Sequence, residues 1–199
     1  MSDARTVDAT LPVHGQGLIG TPWWGMLCVL ATEGILFAYL IFSYVYLGSQ
    51  HVGGWPPSGP PSLKLALPAT VLLLGSSAVL EWGKQVARKG RLVASRIAVA
   101  ITLLMGAGFA ALELKEWHDK TFGIGQDAYS SIYYLLTGTH LTHVLLGLIA
   151  LAALLLWGLA GKVHAGHEQH RALVTLYWHF VDAVWLFVFA AVYLSPRLT

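Results

Sequence analysis

A chain of 199 residues that is 56% hydrophobic and only 11% charged, with a mean hydropathy of +0.62, has the composition of a protein embedded in lipid; soluble domains carry about 25% charged residues. At roughly 20 apolar residues per span, this length holds five spans with short connectors and leaves no room for a sizeable water-soluble catalytic domain. The formal charge of +2 gives no basis for a nucleic-acid partner, and the single cysteine, Cys28, excludes an internal disulfide or a CxxC metal or redox pair.

Residues 1–21 carry Asp3, Arg5, Asp8 and His14 without an apolar core, so they are expected to be a polar tail and not a signal peptide. A single transmembrane domain is expected over 22–195. Its first helix follows Pro22, a residue suited to a first helical turn, and runs from Trp23 to about Leu47. The Gly/Pro-rich stretch 53–61 then breaks any helix. Further apolar runs predict helices over 65–85, 92–114, 129–161 and 172–194, an all-α five-helix bundle. Eight of the twelve Lys and Arg residues fall in the tail, in the segment after the second helix and in the segment after the fourth. Positive charge in short loops is retained in the cytoplasm, so the N-terminus is expected there and the C-terminus outside. Trp23, Trp24, Trp82, Trp117, Tyr129, Trp157 and Tyr193 near helix ends suit an aromatic belt.

The spans contain ionisable groups: Glu33, His140, His143, His179 and Asp182. Even lenient insertion scales charge about 2.5–3.5 kcal/mol for a carboxylate at a helix centre, so such groups face protein or water and find partners. All five lie near the expected midplane. His140 with His143, and His179 with Asp182, are three residues apart and share helix faces, which predicts one polar seam between helices. Such a seam can pack the bundle, carry protons, dock a partner, or bind metal or a bis-histidine haem. The helical di-iron pattern needs more carboxylates than this set has. Glu113 and Glu116, near the outer end of the third helix beside Lys115 and Lys120, read as a solvated face. Glu81 is within reach of Lys84, and His164, His167 and His170 read as solvated loop residues. Gly34 with Ala38, Gly75 with Ser76 and Ser77, Gly106 with Gly108, and Gly138 with Gly147 would let helix backbones approach closely.

Several segments coincide with recognisable motifs: Trp24-Gly25-Met26 running into Thr32-Glu33-Gly34 and Phe37, Gly54-Trp55-Pro56-Pro57, and Leu74-Gly75-Ser76-Ser77. Gly108-Phe109 and Glu116-Trp117 follow, then Thr137-Gly138-Thr139-His140-Leu141-Thr142-His143-Val144 with Gly147. The most specific is Tyr177-Trp178-His179-Phe180-Val181-Asp182-Ala183-Val184-Trp185-Leu186-Phe187. In these the chain closely resembles subunit III of the haem–copper terminal oxidases, the cytochrome c oxidase and quinol oxidase family, from about Pro22 to Tyr193. It departs from that family in lacking two further N-terminal helices of longer members. It also has Gly138-Thr139-His140 for Gly-Phe-His, Glu113 for a glutamine and Trp117 for a tyrosine.

The resemblance implies a non-catalytic subunit of a proton-pumping cytochrome-c oxidase, with no cofactor in this chain and haem and copper in partner subunits. It implies packing on subunit I, with subunit II in the complex, in a bacterial cytoplasmic (inner) membrane. The implied roles are support of proton uptake and protection of the oxygen-reducing site, partly through bound phospholipid. Glu33, His140, His143, His179 and Asp182 are then the expected internal polar network, and Lys162 a lipid-phosphate contact. Alternatives are a subunit III-like protein of a quinol oxidase or nitric oxide reductase, or a bis-His haem-binding membrane cytochrome.

Overall fold

A computed structural model describes residues 21–52, 54–57, 59–160 and 168–198. Among these there are five helices long and apolar enough to cross a membrane, and no strand. They are α1 (Thr21–Gln50), α2 (Leu63–Arg88), α3 (Leu92–His118), α4 (Ala128–Leu159) and α5 (Glu168–Phe189). α5 continues through a π turn, Ala190–Leu194, into a 3-10 turn, Ser195–Arg197. Each expected apolar run falls on one of these helices; several gain a polar first or last turn, because the helix satisfies its own backbone as it leaves the hydrocarbon, while α4 ends at Leu159 and residue 161 of its expected span lies outside the described residues. The fifth helix begins at Glu168, one turn ahead of the expected start at Ala172.

Local chemistry sets the helix ends. The Ser62 hydroxyl accepts from the Lys64 amide at 3.3 Å to open α2. Asp127 opens α4 with a reciprocal box: its Oδ1 accepts from the Ser130 amide at 2.6 Å, while its own amide donates to Ser130 Oγ at 2.9 Å. Between α2 and α3 the chain reverses in three residues, and Gly90 takes φ +77°, a conformation that side chains resist. That turn clamps α2 onto α3 so closely that a Cβ on Gly83 would meet Ala98 Cβ at 2.5 Å. In hydrocarbon there is no hydrophobic drive between helices, so close backbone approach and interhelical hydrogen bonds supply the association.

The interior is aromatic. Trp178, Trp185, Tyr44, Tyr133, Tyr193 and Phe109 are fully buried. α1 contributes least, burying only Phe37, Leu40 and Tyr44. Trp24, Trp82 and Trp157 are exposed as a belt requires, whereas Tyr129 and Tyr193 turn inward and Trp117 is half-buried. At one end of the bundle, where α2 stops and α3 and α5 begin, Arg88, Arg91, Arg96 and Arg171 gather. At the other end the Arg197 guanidinium donates to the carbonyls of Tyr193 and Pro61, tying the end of α5 to the loop before α2.

Candidate functional site

The ionisable residues of the spans separate into distinct sets. The first joins α1 to α4: His143 Nε2 lies 3.0 Å from Glu33 Oε2, and its Nδ1 lies 2.8 Å from the Thr139 carbonyl. A carbonyl only accepts, so Nδ1 carries the hydrogen, and the Nε2···Oε2 contact needs one proton between its two groups. The pair is therefore neutral overall, as a mid-span site requires. The Glu33 side chain remains 32% exposed on the outer face of α1. Phe37, one helical turn further along, packs edge-on against both His143 and His140.

The second set joins α2 to α5. Ser77, Glu81 and Lys84 follow one face of α2 at i, i+4 and i+7. The Ser77 hydroxyl bonds Asp182 Oδ2 and lies 3.0 Å from His179 Nδ1. His179 Nε2 stands 3.6 Å from Glu81 Oε2, which Lys84 holds at 2.9 Å. The result is a ladder of polar groups from mid-span to the arginine-rich end. Asp182 Oδ1 is buried and without a partner among the described residues.

His140 belongs to neither set. Its Nε2 donates to the Val181 carbonyl at 3.2 Å, and Nδ1 is buried and unpartnered among the described residues. Phe109, Phe37 and Trp185 surround its ring, with centroids 4.9–6.3 Å away. The expected continuous seam is thus interrupted, because the aromatic packing around His140 fills the space between the two sets. Among the described residues no three His, Cys, Asp or Glu side chains come within reach of one metal ion.

A third set contradicts the expected solvated face. Glu113 and Glu116 are buried, because the interior stripe Thr102, Gly106, Phe109, Ala110 continues into them at helical spacing. Glu116 Oε1 accepts from Lys120 Nζ at 2.8 Å, from the Tyr193 hydroxyl at 2.8 Å and from the Tyr133 hydroxyl at 3.3 Å. Glu113 is only 1% exposed, and neither of its oxygens has a partner among the described residues. Beside it Trp117 Nε1 donates to Thr137 Oγ1 at 3.2 Å.

Two indoles complete the interior. Trp178 Nε1 donates to Ser76 Oγ, and Trp185 Nε1 to Thr70 Oγ1, each at 2.9 Å. The sequence marks Ser76 only as a small residue and Thr70 not at all, since a hydroxyl that will meet an indole leaves no local signature. Gly106 on α3 and Gly147 on α4 flank Trp178: a Cβ on either would lie within 2.8 Å of its ring. Lys162, with His164 and His167, lies outside the described residues, as does the expected tail through residue 20.

Comparison with known proteins places this arrangement. Residues 9–196 match the family model for cytochrome c oxidase subunit III. The chain is 38% identical to a probable cytochrome c oxidase subunit 3 of Nocardia farcinica over 180 residues, 88% of this chain and 86% of that one. It is 33% identical to cytochrome c oxidase subunit 3 of Synechocystis sp. over 190 residues, 92% and 81% of the two chains. Against the Gallus gallus cytochrome c oxidase subunit 3 it is 29% identical over 85% of this chain and 68% of the relative. With five apolar helices among the described residues and a family match over nearly its whole length, the chain belongs to the cytochrome c oxidase subunit III family.

Proposed function

We propose that this chain is the non-catalytic third subunit of a respiratory cytochrome c oxidase, seated on subunit I in a bacterial inner membrane with subunit II in the same complex. Its N-terminus is cytoplasmic and its C-terminus outside. Haem and copper sit in the partner subunits. This chain supports proton uptake and keeps the oxygen-reducing site from inactivating during turnover. Glu33, His140, His143, His179 and Asp182 serve this role by fixing the bundle, and Lys162 contacts lipid phosphate.

The observation that carries the reading is the Glu33–His143 pair, a proton-sharing contact at mid-span whose carboxylate stays part-exposed on the least buried helix. In hydrocarbon a part-exposed carboxyl is costly, so this face suits a protein neighbour. Beside it a groove of about 550 Å3 opens between α1 and α5, walled by Phe37, Ile41, Phe42, Phe180, Val184 and Phe187. The test is purification through a tag on this chain in mild detergent, with an optical spectrum, identification of co-purifying subunits and turnover of a Glu33→Gln variant. Haem bands that travel with a large polytopic partner, together with earlier inactivation of Glu33→Gln during turnover, are expected. Haem retained by the chain alone, or unchanged assembly and turnover stability in Glu33→Gln, would overturn it. A reporter fused to the C-terminus tests the orientation: activity on the outer side is expected.

A further inference from the structure

We propose that Glu113 is a proton-binding site: it holds a proton as the neutral acid and exchanges it with water at the end of the bundle away from the arginines, the outer end in the orientation proposed above. Glu113 is 1% exposed, and neither of its oxygens has a partner among the described residues. A carboxylate with no cation and no donor is too costly to keep in such surroundings, and a proton neutralises it. The charged and titratable groups that face it are Glu116 and Lys120 from its own side, Tyr133 from α4 and Tyr193 from the π turn. Lys120 is the cation among them, and it already holds Glu116 at 2.8 Å. The cluster therefore balances one negative charge, and the second carboxyl is balanced by one bound proton.

A route connects this acid to water. Glu116 lies three residues further along the same face of α3, nearer the helix end, and it lines an open pocket of about 440 Å3. Exposed Lys64, Lys115, Asp119 and Thr121 form the rim of that pocket. The donors from Lys120, Tyr193 and Tyr133 all meet Glu116 Oε1, while Oε2 has no hydrogen bond among the described residues. Oε2 is thus the free acceptor between the buried acid and the pocket. On release the O–H bond of Glu113 breaks, Glu116 Oε2 takes the proton, and water in the pocket accepts it from there as hydronium. The cluster is left with one uncompensated negative charge, and uptake is the reverse. Carboxyl groups within membrane spans are suited to such relays because the surrounding hydrocarbon makes the charged and neutral forms differ strongly in energy.

The experiment uses the detergent-purified complex containing this chain and infrared difference spectroscopy of the carboxylic-acid C=O stretch, which ionised carboxylates do not share. Near neutral pH the wild type minus Glu113→Gln difference is expected to contain one acid band. That band should shift on transfer to heavy water and disappear reversibly as the medium is made alkaline. Glu113→Asp should keep one acid band at a shifted position, so the assignment survives even if the glutamine variant fails to assemble. Thr121→Trp, at the exposed rim, narrows the mouth of the pocket and should slow the exchange severalfold. Glu81→Gln, at a carboxylate already held by Lys84, should leave the band unchanged. Identical wild-type, Glu113→Gln and Glu113→Asp spectra would mean an ionised Glu113 paired by a cation of a neighbouring subunit, and would overturn the proposal. A band that persists through the whole alkaline range in which the complex stays assembled would mark a permanently neutral acid and overturn it equally. Exchange in Thr121→Trp at the wild-type rate would overturn the route through the pocket.

Discussion

Replacing Gly147 by alanine puts a methyl carbon 2.8 Å from Cε3 and Cζ3 of Trp178, where carbon atoms prefer about 3.5–4.0 Å. The indole has no retreat. Its far edge, Cη2, already lies where a Cβ on Gly106 would stand 2.7 Å away, and its Nε1 is tethered to Ser76. Alanine gains about 1 kcal/mol over glycine in a helix, while overpacking a closed core costs about 1–3 kcal/mol. At a site confined on both sides the upper part of that range applies, so Gly147→Ala should destabilise by about 1–2 kcal/mol net. For a chain of this length that lowers the midpoint by about 2–8 °C. The assay is thermal loss of this subunit from the detergent-purified complex, followed by size-exclusion with a fluorescent tag. Gly25→Ala, with nothing within 4 Å of the new methyl, is the control of opposite sign and should be neutral or stabilising. Trp178→Phe removes the ring atoms that are struck, so the cost of Gly147→Ala should shrink in that background by at least about 0.5 kcal/mol. A Gly147→Ala variant as stable as wild type, or an undiminished cost in the Trp178→Phe background, would refute the reasoning.

Other perturbations test the remaining sets. Lys120→Met leaves Glu116 buried with hydroxyl donors only and should destabilise by about 3 kcal/mol, the low end for a broken buried pair; a melting curve like that of wild type would show the pair to be idle. Glu113→Leu removes two unpartnered buried oxygens and should raise the midpoint, the gain being about 1–3 kcal/mol. A fall instead would mean that those oxygens have a partner supplied by the assembled complex. Ser76→Ala strands the indole N–H of Trp178 and should cost about 1–3 kcal/mol, read in the same melt. Ser43→Ala, whose hydroxyl bonds only its own helix backbone on the exposed face of α1, should cost much less.

The helices and their order are legible because a bilayer leaves few alternatives: long apolar runs and a proline-rich break carry that information. His179 and Asp182 can be placed on one helix face from their three-residue spacing, and both do reach Ser77. His140 and His143 obey the same spacing yet part company, one to the Val181 carbonyl and the other to Glu33, because three neighbouring rings close around His140. Spacing constrains a helix face; which neighbour that face meets depends on packing between helices. Glu113 and Glu116 depart from expectation for a related reason. Counting from the helix end suggests hydration, but the buried stripe of α3 extends through them to Tyr133 and Tyr193. The π turn and the hydroxyl sockets of the indoles leave no pattern in one sequence.

The π turn at Ala190–Leu194 makes the register of the chain's end a matter of counting residues. A π turn takes one residue more than an α turn to return to the same face. Were those same residues to close into α-helix with none removed, everything downstream would rotate by about 100°. Tyr193 would then leave Glu116, and Arg197 would leave the Pro61 carbonyl. The extra residue of the turn is therefore what keeps Tyr193 and Arg197 facing Glu116 and Pro61, and its loss is tolerable where the turn closes into α-helix at the same time.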